Sequence, residues 1–365
     1  MSNTRNLHPV VKYLIAAVAT FVVVVTILVV FVVPYRPAID GPMKDSPVTT
    51  LWDYLVNPSK QAKPVSGVPT GEQLAHPKEP YIGVYSTDPI KGTLEFDATT
   101  GIKTNAILFF KNWEQHVDFN SIEYRKANDI GKLPIISWEP WNPDGDLKNQ
   151  PEYTLQSIID GKHDEYIKDW AINIKKLGFG VGMRFAHEMN GNWYPWSVTE
   201  NGGSPELYVK AWRHVHDIFA EQGTSNVMWI WSVNLNRSLQ DVALKPIYPG
   251  DAYVDVVGLS GYGSRPDELF QETVQSTVDE LRKISAKPLM VTETGASEDT
   301  KVKALWISSM FAYFKDNPDF IGVLWFNGYG RKDWKVNTTK ASTFAYQAGA
   351  ADYVEAFKKA HANDK

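Results

Sequence analysis

From residue 81 onward, short and nearly unbroken hydrophobic runs alternate with longer amphipathic stretches. The short runs fall at 81–85, 106–110, 134–138, 180–185, 227–231, 254–259, 289–292 and 321–326. Apolar runs of this length, without polar alternation, are expected of strands covered on both faces. Between them, stretches such as 165–177, 205–222, 268–284 and 301–316 repeat their apolar positions at helical spacing. Strand–helix alternation predicts a parallel sheet. Eight such units in about 280 residues predict an α/β protein whose sheet closes into a (β/α)8 barrel, spanning 81–360. A doubly wound open sheet is the alternative, but no Gly-rich phosphate loop follows the first run.

The segment before the barrel has a different pattern. Residues 13–33 contain no charged side chain and are rich in Val, Ile, Leu and Phe. A helix of that length rises about 30 Å, enough to cross the hydrocarbon layer. A cleavable signal peptide is the rival, but its apolar stretch is usually about 7–15 residues and ends in a small-residue cleavage site. Here the run meets Pro34-Tyr35-Arg36-Pro37. An uncleaved transmembrane anchor is therefore expected, with residues 1–12 ahead of it. Arg5 and Lys12 before the span and Arg36 and Lys44 after it give only a weak basic bias. Nine prolines across 34–80 predict an extended, semi-rigid stalk. Within it, Leu51-Trp52-Asp53-Tyr54-Leu55 could form one helical turn.

Composition narrows the function classes. The 365 residues carry a formal net charge of -5 and no basic stripe, so nucleic acid is a poor partner. The sequence has no cysteine, which removes disulfides, thiolate metal sites and cysteine nucleophiles from consideration. Its 13 tryptophans suit both a large core and the stacking of sugar rings.

Barrels of this kind keep their chemistry at the carboxyl ends of the strands. After the third run stands Trp138-Glu139-Pro140-Trp141, and after the fourth His187-Glu188-Met189-Asn190-Gly191-Asn192-Trp193-Tyr194-Pro195-Trp196. The fifth is followed by Ser232-Val233-Asn234, the sixth by Gly261-Tyr262-Gly263 and the seventh by Glu293-Thr294-Gly295; the eighth contains Trp325. Aromatic and carboxylate residues thus gather at one face, as a sugar-binding cleft requires. Glycosidic bond hydrolysis needs one carboxylic acid to protonate the leaving oxygen and one carboxylate opposite it; in retaining enzymes the two stand about 5–5.5 Å apart. Glu188 and Glu293, at the ends of strands four and seven, are the candidate pair. Glu139 is the rival carboxylate, read as substrate-contacting or structural. His187-Glu188 begins like a zinc-protease HExxH helix, but Gly191 occupies the second histidine's place. His214 and His216 are too close in sequence to share a helix face, and Asp144 and Asp146 lack EF-hand spacing.

The segment Arg184-Phe185-Ala186-His187-Glu188-Met189-Asn190-Gly191-Asn192-Trp193, together with Val291-Thr292-Glu293-Thr294-Gly295, resembles glycoside hydrolase family 26 over roughly residues 81–353. The resemblance implies a retaining hydrolase with Glu188 as acid/base and Glu293 as nucleophile, and no metal or cofactor in the chemistry. It further implies that Tyr262 hydrogen-bonds Glu293, that Trp193 lies beside Glu188 and that Trp325 floors the subsite of the cleaved sugar. His187 matches the family's residue before the acid/base. Substrate contacts are expected from His187, Asn190, Trp193, Trp196, Tyr262, Trp325, Arg184, Trp138 and Glu139. Family members cleave β-1,4-mannan, β-1,3-1,4-glucan or β-1,3-xylan. Mannanases tend to follow the acid/base with an aromatic-Trp-Trp run; Pro195 interrupts that run here and tilts the expectation from mannan toward mixed-linkage glucan. With such a substrate the catalytic domain is expected outside the cell and the N-terminus in the cytoplasm. A tethered enzyme is also well placed to trim a polymer leaving a neighbouring polysaccharide synthase. A catalytically silent carbohydrate-binding or scaffold component of such a complex is the rival class.

Overall fold

The computed structural model describes residues 66–115, 123–236 and 242–363. The transmembrane anchor expected at 13–33 and the stalk over 34–65 lie outside the described residues. Among the described residues, no helix is long and apolar enough to cross a membrane.

Eight parallel strands close into a barrel in chain order. They are β1 (Tyr81–Tyr85), β2 (Ala106–Asn112), β3 (Leu133–Glu139), β4 (Val181–Phe185), β5 (Val227–Asn234), β6 (Val256–Gly263), β7 (Leu289–Ala296) and β8 (Phe320–Phe326). Closure comes from β1 pairing with β8, with Tyr81 opposite Gly322 and Tyr85 opposite Phe326. Each strand is found where the apolar runs place it. Several run on past their last apolar residue, to Glu139 in β3, Asn234 in β5, Gly263 in β6 and Ala296 in β7. Ladder bonds join backbone groups and continue where side chains turn polar. Glu139, Tyr262 and Glu293 therefore stand within strands, on the most rigid part of the scaffold.

Helices cover the outside through apolar stripes at helical spacing. Helix Asp164–Leu177 buries Ile167, Trp170, Ala171, Ile174 and Leu177, and helix Pro205–Glu221 buries Tyr208, Ala211, Trp212, Val215, Ile218 and Phe219. The stripes face the outward side chains of the strands. The folded unit starts earlier than the stalk boundary at residue 80 anticipates. A helical turn, Gly71–Leu74, is fixed to the barrel by the Gly71 amide donating to the Ser225 carbonyl (3.0 Å) and the Tyr81 hydroxyl donating to Leu74 (2.8 Å).

Two tryptophans read as substrate contacts prove to belong to this layer. Trp138 is 0% exposed and packs among Trp113, Trp170 and Phe185, with ring centroids at 5.0, 5.0 and 5.8 Å. Trp325 is also 0% exposed, lies 5.6 Å from Tyr346 and 6.4 Å from Trp306, and donates through Nε1 to the Trp334 carbonyl (3.0 Å). Strand side chains alternate between faces, and these two positions take the outward one. Neither ring has a face free for a sugar. Trp138→Ala should lower the unfolding free energy by about 3–5 kcal/mol in a denaturant titration. A loss under about 1 kcal/mol would contradict this core placement.

Candidate active site

The barrel interior beneath the mouth is polar, and Arg184 of β4 organises it. Arg184 is 0% exposed. Its Nε donates to Ser232 Oγ (3.0 Å), Nη1 to Ser137 Oγ and Glu293 Oε2 (both 2.9 Å), and Nη2 to Ser260 Oγ (2.6 Å). Serines on β3, β5 and β6 thus ring the guanidinium with short hydroxyls. Space is tight here: a Cβ on Gly258 would come within 2.7 Å of Thr292 Cγ2.

A β-bulge aims Glu293 into this ring. Leu259 of β6 pairs with Val291 of β7, but the next residue, Ser260, pairs with Glu293. Thr292 is the extra residue. Its Oγ1 lies 2.7 Å from Ser232 Oγ inside the barrel, and Glu293 reaches the same interior through Arg184. A regular strand sends successive side chains to opposite faces; the bulge lets both turn inward. Tyr262 donates its hydroxyl to Glu293 Oε1 (2.6 Å), so each oxygen of Glu293 has its own donor.

Glu188 is held by a strained turn after β4. Ala186 and Glu188 have φ of 43° and 54°, a left-handed conformation that costs a side-chain-bearing residue of order 1–3 kcal/mol. Neighbours fix the turn. Tyr208 donates to the Ala186 carbonyl (3.2 Å) and Trp196 Nε1 to the His187 carbonyl (2.7 Å), while the Glu188 amide donates to the Ser232 carbonyl (2.8 Å). Trp193 Nε1 donates to Glu188 Oε2 (3.1 Å). Gly191 makes that approach feasible, because a Cβ there would sit 2.6 Å from the Trp193 ring. Glu188 Oε1 is 3.8 Å from Arg184 Nη2, so one guanidinium lies beside both candidate carboxylates.

The electrostatics separate the carboxyls by environment. Burial, then the charge of Glu293, pushes the Glu188 carboxyl up, against the pull of Arg184. Burial pushes Glu139 up further, to about 8. His187 is pulled well below the usual histidine range by burial and the Arg184 charge, so its imidazole is neutral.

Of the residues read as candidates, Glu188, Glu293, Arg184, Tyr262, Trp193, His187 and Glu139 come together at the mouth. Asn190 and Trp196 have structural contacts instead. Asn190 pairs with the Asn234 backbone in both directions (2.8 and 2.9 Å). Trp196 is buried and stacks on Tyr194 at 4.2 Å. The sequence reading missed several aromatics. Tyr85 stacks on Phe326 (4.5 Å) and meets Phe110 edge-on (5.1 Å). Trp334, half-buried, lies 4.6 Å from Tyr262. Tyr85 and Phe326 end their strands and were open to the same search; Trp334 sits in the loop after β8, where no periodicity marks it. His214 pairs with Asp164 (2.7 Å) and His216 packs on Trp229 (5.2 Å), so the two histidines serve separate contacts.

Active sites of (β/α)8 barrels stand at the carboxyl ends of the strands, where Glu139, Glu188 and Glu293 gather here. The sequence model of Glycosyl hydrolase family 26 matches residues 147–343, and the chain belongs to that family. It is 30% identical to Endoglucanase H of Acetivibrio thermocellus over 72% of this chain and 29% of that protein. A mannan endo-1,4-beta-mannosidase of Bacillus subtilis is 29% identical over 48% of this chain and 50% of that one. The chain thus spans half or less of the length of these relatives. Among solved structures, the fold is shared with a Cellulomonas fimi endo-beta-1,4-mannanase double mutant. The TM-score is 0.58 at 22% identity, covering 78% of this chain and 71% of that one.

Removing the central cation should be costly. Arg184→Met leaves the largely buried Glu293 with Tyr262 as its donor and strips three buried serines of their shared partner, and should lower stability by about 3–5 kcal/mol. Chemical unfolding measures it, and an unchanged midpoint would contradict the role given to Arg184.

Proposed function

We propose that this protein is a retaining endo-β-glycanase in which Glu188 is the acid/base and Glu293 the nucleophile. The observation that carries the reading is the unequal treatment of the two carboxyls around Arg184. Glu293 accepts from Arg184 (2.9 Å) and Tyr262 (2.6 Å), so both of its oxygens are held by donors. Glu188 is buried, stands further from the guanidinium at 3.8 Å and is pushed toward its protonated form. One carboxylate is thereby ready to attack the anomeric carbon while the other holds a proton for the leaving oxygen. Attack converts Glu293 to a neutral ester and removes the charge that raised Glu188. Glu188 then loses its proton more readily and can activate the water that releases the sugar.

For the substrate we propose a mixed-linkage β-1,3-1,4-glucan, with β-1,4-mannan as the competing backbone. Support comes from the Pro195 departure after the acid/base and from the broader match to a relative named as an endoglucanase than to those named as mannosidases. The half-buried Trp334 and the exposed sides of Tyr85 and Phe326 supply aromatic surface for such a chain.

Two experiments test these readings. Glu293→Ala should lower hydrolysis by about 10⁴-fold or more, and activity surviving it would remove the nucleophile assignment. Glu188→Ala should regain turnover when azide is added with a substrate bearing an activated leaving group. Product analysis on mixed-linkage glucan, glucomannan and galactomannan should show short oligosaccharides from the first at the highest rate. Preference for galactomannan would overturn the substrate proposal.

A further inference from the structure

A buried cation outside the ring around Arg184 takes no part in the two-carboxylate chemistry. Lys303 opens the helix Lys303–Asp316 that follows β7 and is 3% exposed. Neither the helix nor the core favours a lysine there. The amino end of a helix carries partial positive charge, and an ammonium taken out of water is costly unless it is paired and hydrogen-bonded. The partners that satisfy it come from loops. Nζ donates to the Lys335 carbonyl and to Thr338 Oγ1, both at 2.7 Å, and stands 3.5 Å from Glu298 Oε1. The Thr338 hydroxyl donates in turn to Glu298. Lys303 thus stitches the loop after β7, which carries Glu298, to the loop after β8, which carries Lys335 and Thr338.

The loop held in this way is the one that presents Trp334. Trp334 is pinned through its backbone: its N–H donates to the Gly328 carbonyl (3.1 Å), and its carbonyl accepts from Trp325 Nε1 (3.0 Å). The Val336 N–H donates to Asn327 Oδ1 (2.9 Å) and closes the stem of the loop. These bonds tie the loop to β8 and to itself. The Trp334 side chain stands over β6 and β7 instead, 4.6 Å from Tyr262 and against Gly295, where a Cβ would come within 3.2 Å of Trp334 Cβ. Gly295 is two residues beyond Glu293, and Tyr262 donates to Glu293. Contact across to β7 needs a separate fastening. Lys332 pairs with Asp299 (2.6 Å), but these side chains are 34% and 63% exposed, and a pair so open to water contributes little. The Lys303 ammonium is shielded from water, so its bonds are the stronger fastening.

We propose that Lys303 is a positioning residue: by binding the Lys335 carbonyl and Thr338 it holds Trp334 at the mouth in the orientation that a substrate sugar meets. The inference rests on the glycanase reading, in which Trp334 supplies aromatic surface, and adds a residue that touches no substrate and acts on binding through a neighbouring loop. Substitution of Lys303 leaves Glu188, Glu293 and Arg184 with their own hydrogen bonds, so it separates binding from chemistry. Without the fastening, the loop moves from Gly295 and Tyr262, and the sugar binds more weakly while the carboxyls stay in place. Simple destabilisation has a different signature, because unfolded molecules lower the apparent kcat and leave KM unchanged.

The test is steady-state kinetics on an oligosaccharide of whichever β-glycan backbone the wild type cleaves best. Lys303→Met should raise KM about tenfold, as hydrogen bonds to a charged group are lost, and keep kcat within about twofold. In a Trp334→Ala background the same change should raise KM by less than about twofold, because the ring through which it acts is gone. Thr338→Val, at an exposed position, should raise KM about threefold and decides the matter if Lys303→Met does not fold. An unchanged KM in either single variant, a loss confined to kcat, or a KM rise repeated in full without Trp334 overturns the proposal. Wild type that hydrolyses no β-glycan overturns the glycanase reading instead.

Discussion

A guanidinium sealed inside a barrel must be matched by acceptors on every side, and the rest of this site follows from that requirement at Arg184. Side chains that fill a small barrel interior are normally branched and apolar. Here β3, β5 and β6 contribute Ser137, Ser232 and Ser260 instead, each bonded to the same cation. Their small size gives the cation room, and their hydroxyls leave it one strong demand, for negative charge, which Glu293 meets. Glu188, at 3.8 Å, receives only a weaker share of that field. The different roles proposed for two chemically identical residues thus rest on how one buried cation is divided between them.

Backbone geometry makes this division possible. Without the extra residue at Thr292, the alternation of β7 would turn Glu293 toward the helices. Without the left-handed turns at Ala186 and Glu188, the chain leaving β4 could not bring Glu188 back over the mouth. Both features cost the fold energy, and both are held by tertiary contacts, among them Tyr208, Trp196 and Asn190. Asn190 and Trp196, residues that look like substrate contacts in sequence, are therefore part of the support for the turn that carries Glu188.

The barrel was legible because its strands are buried on both faces and its helices on one, which imposes two distinct apolar periods on the sequence. The search along strand ends also located Glu188, Glu293, Tyr262 and Glu139. It failed where facing could not be inferred. Trp138 and Trp325 sit at the right height, but their parity turns them outward into the helix layer. The bulge at Thr292 changes the parity of everything after it, and no residue type announces a bulge. Trp334 reaches the site through a loop whose path depends on its hydrogen bonds to Trp325 and Gly328, not on any local pattern. Length of apolar run reveals where a strand is; which way each side chain points depends on register, and register is a property of the neighbours.

The central claim is that Glu293 attacks the sugar while Glu188 holds a proton. Incubating the protein with a β-glucan oligosaccharide bearing a 2-fluoro substituent and an activated leaving group slows release of a glycosyl-enzyme enough for peptide mass mapping. The account predicts one glycosyl adduct, on the peptide carrying Glu293 and on that side chain. An adduct on Glu188 or Glu139, or turnover of the natural polymer with inversion and no adduct at all, would contradict it.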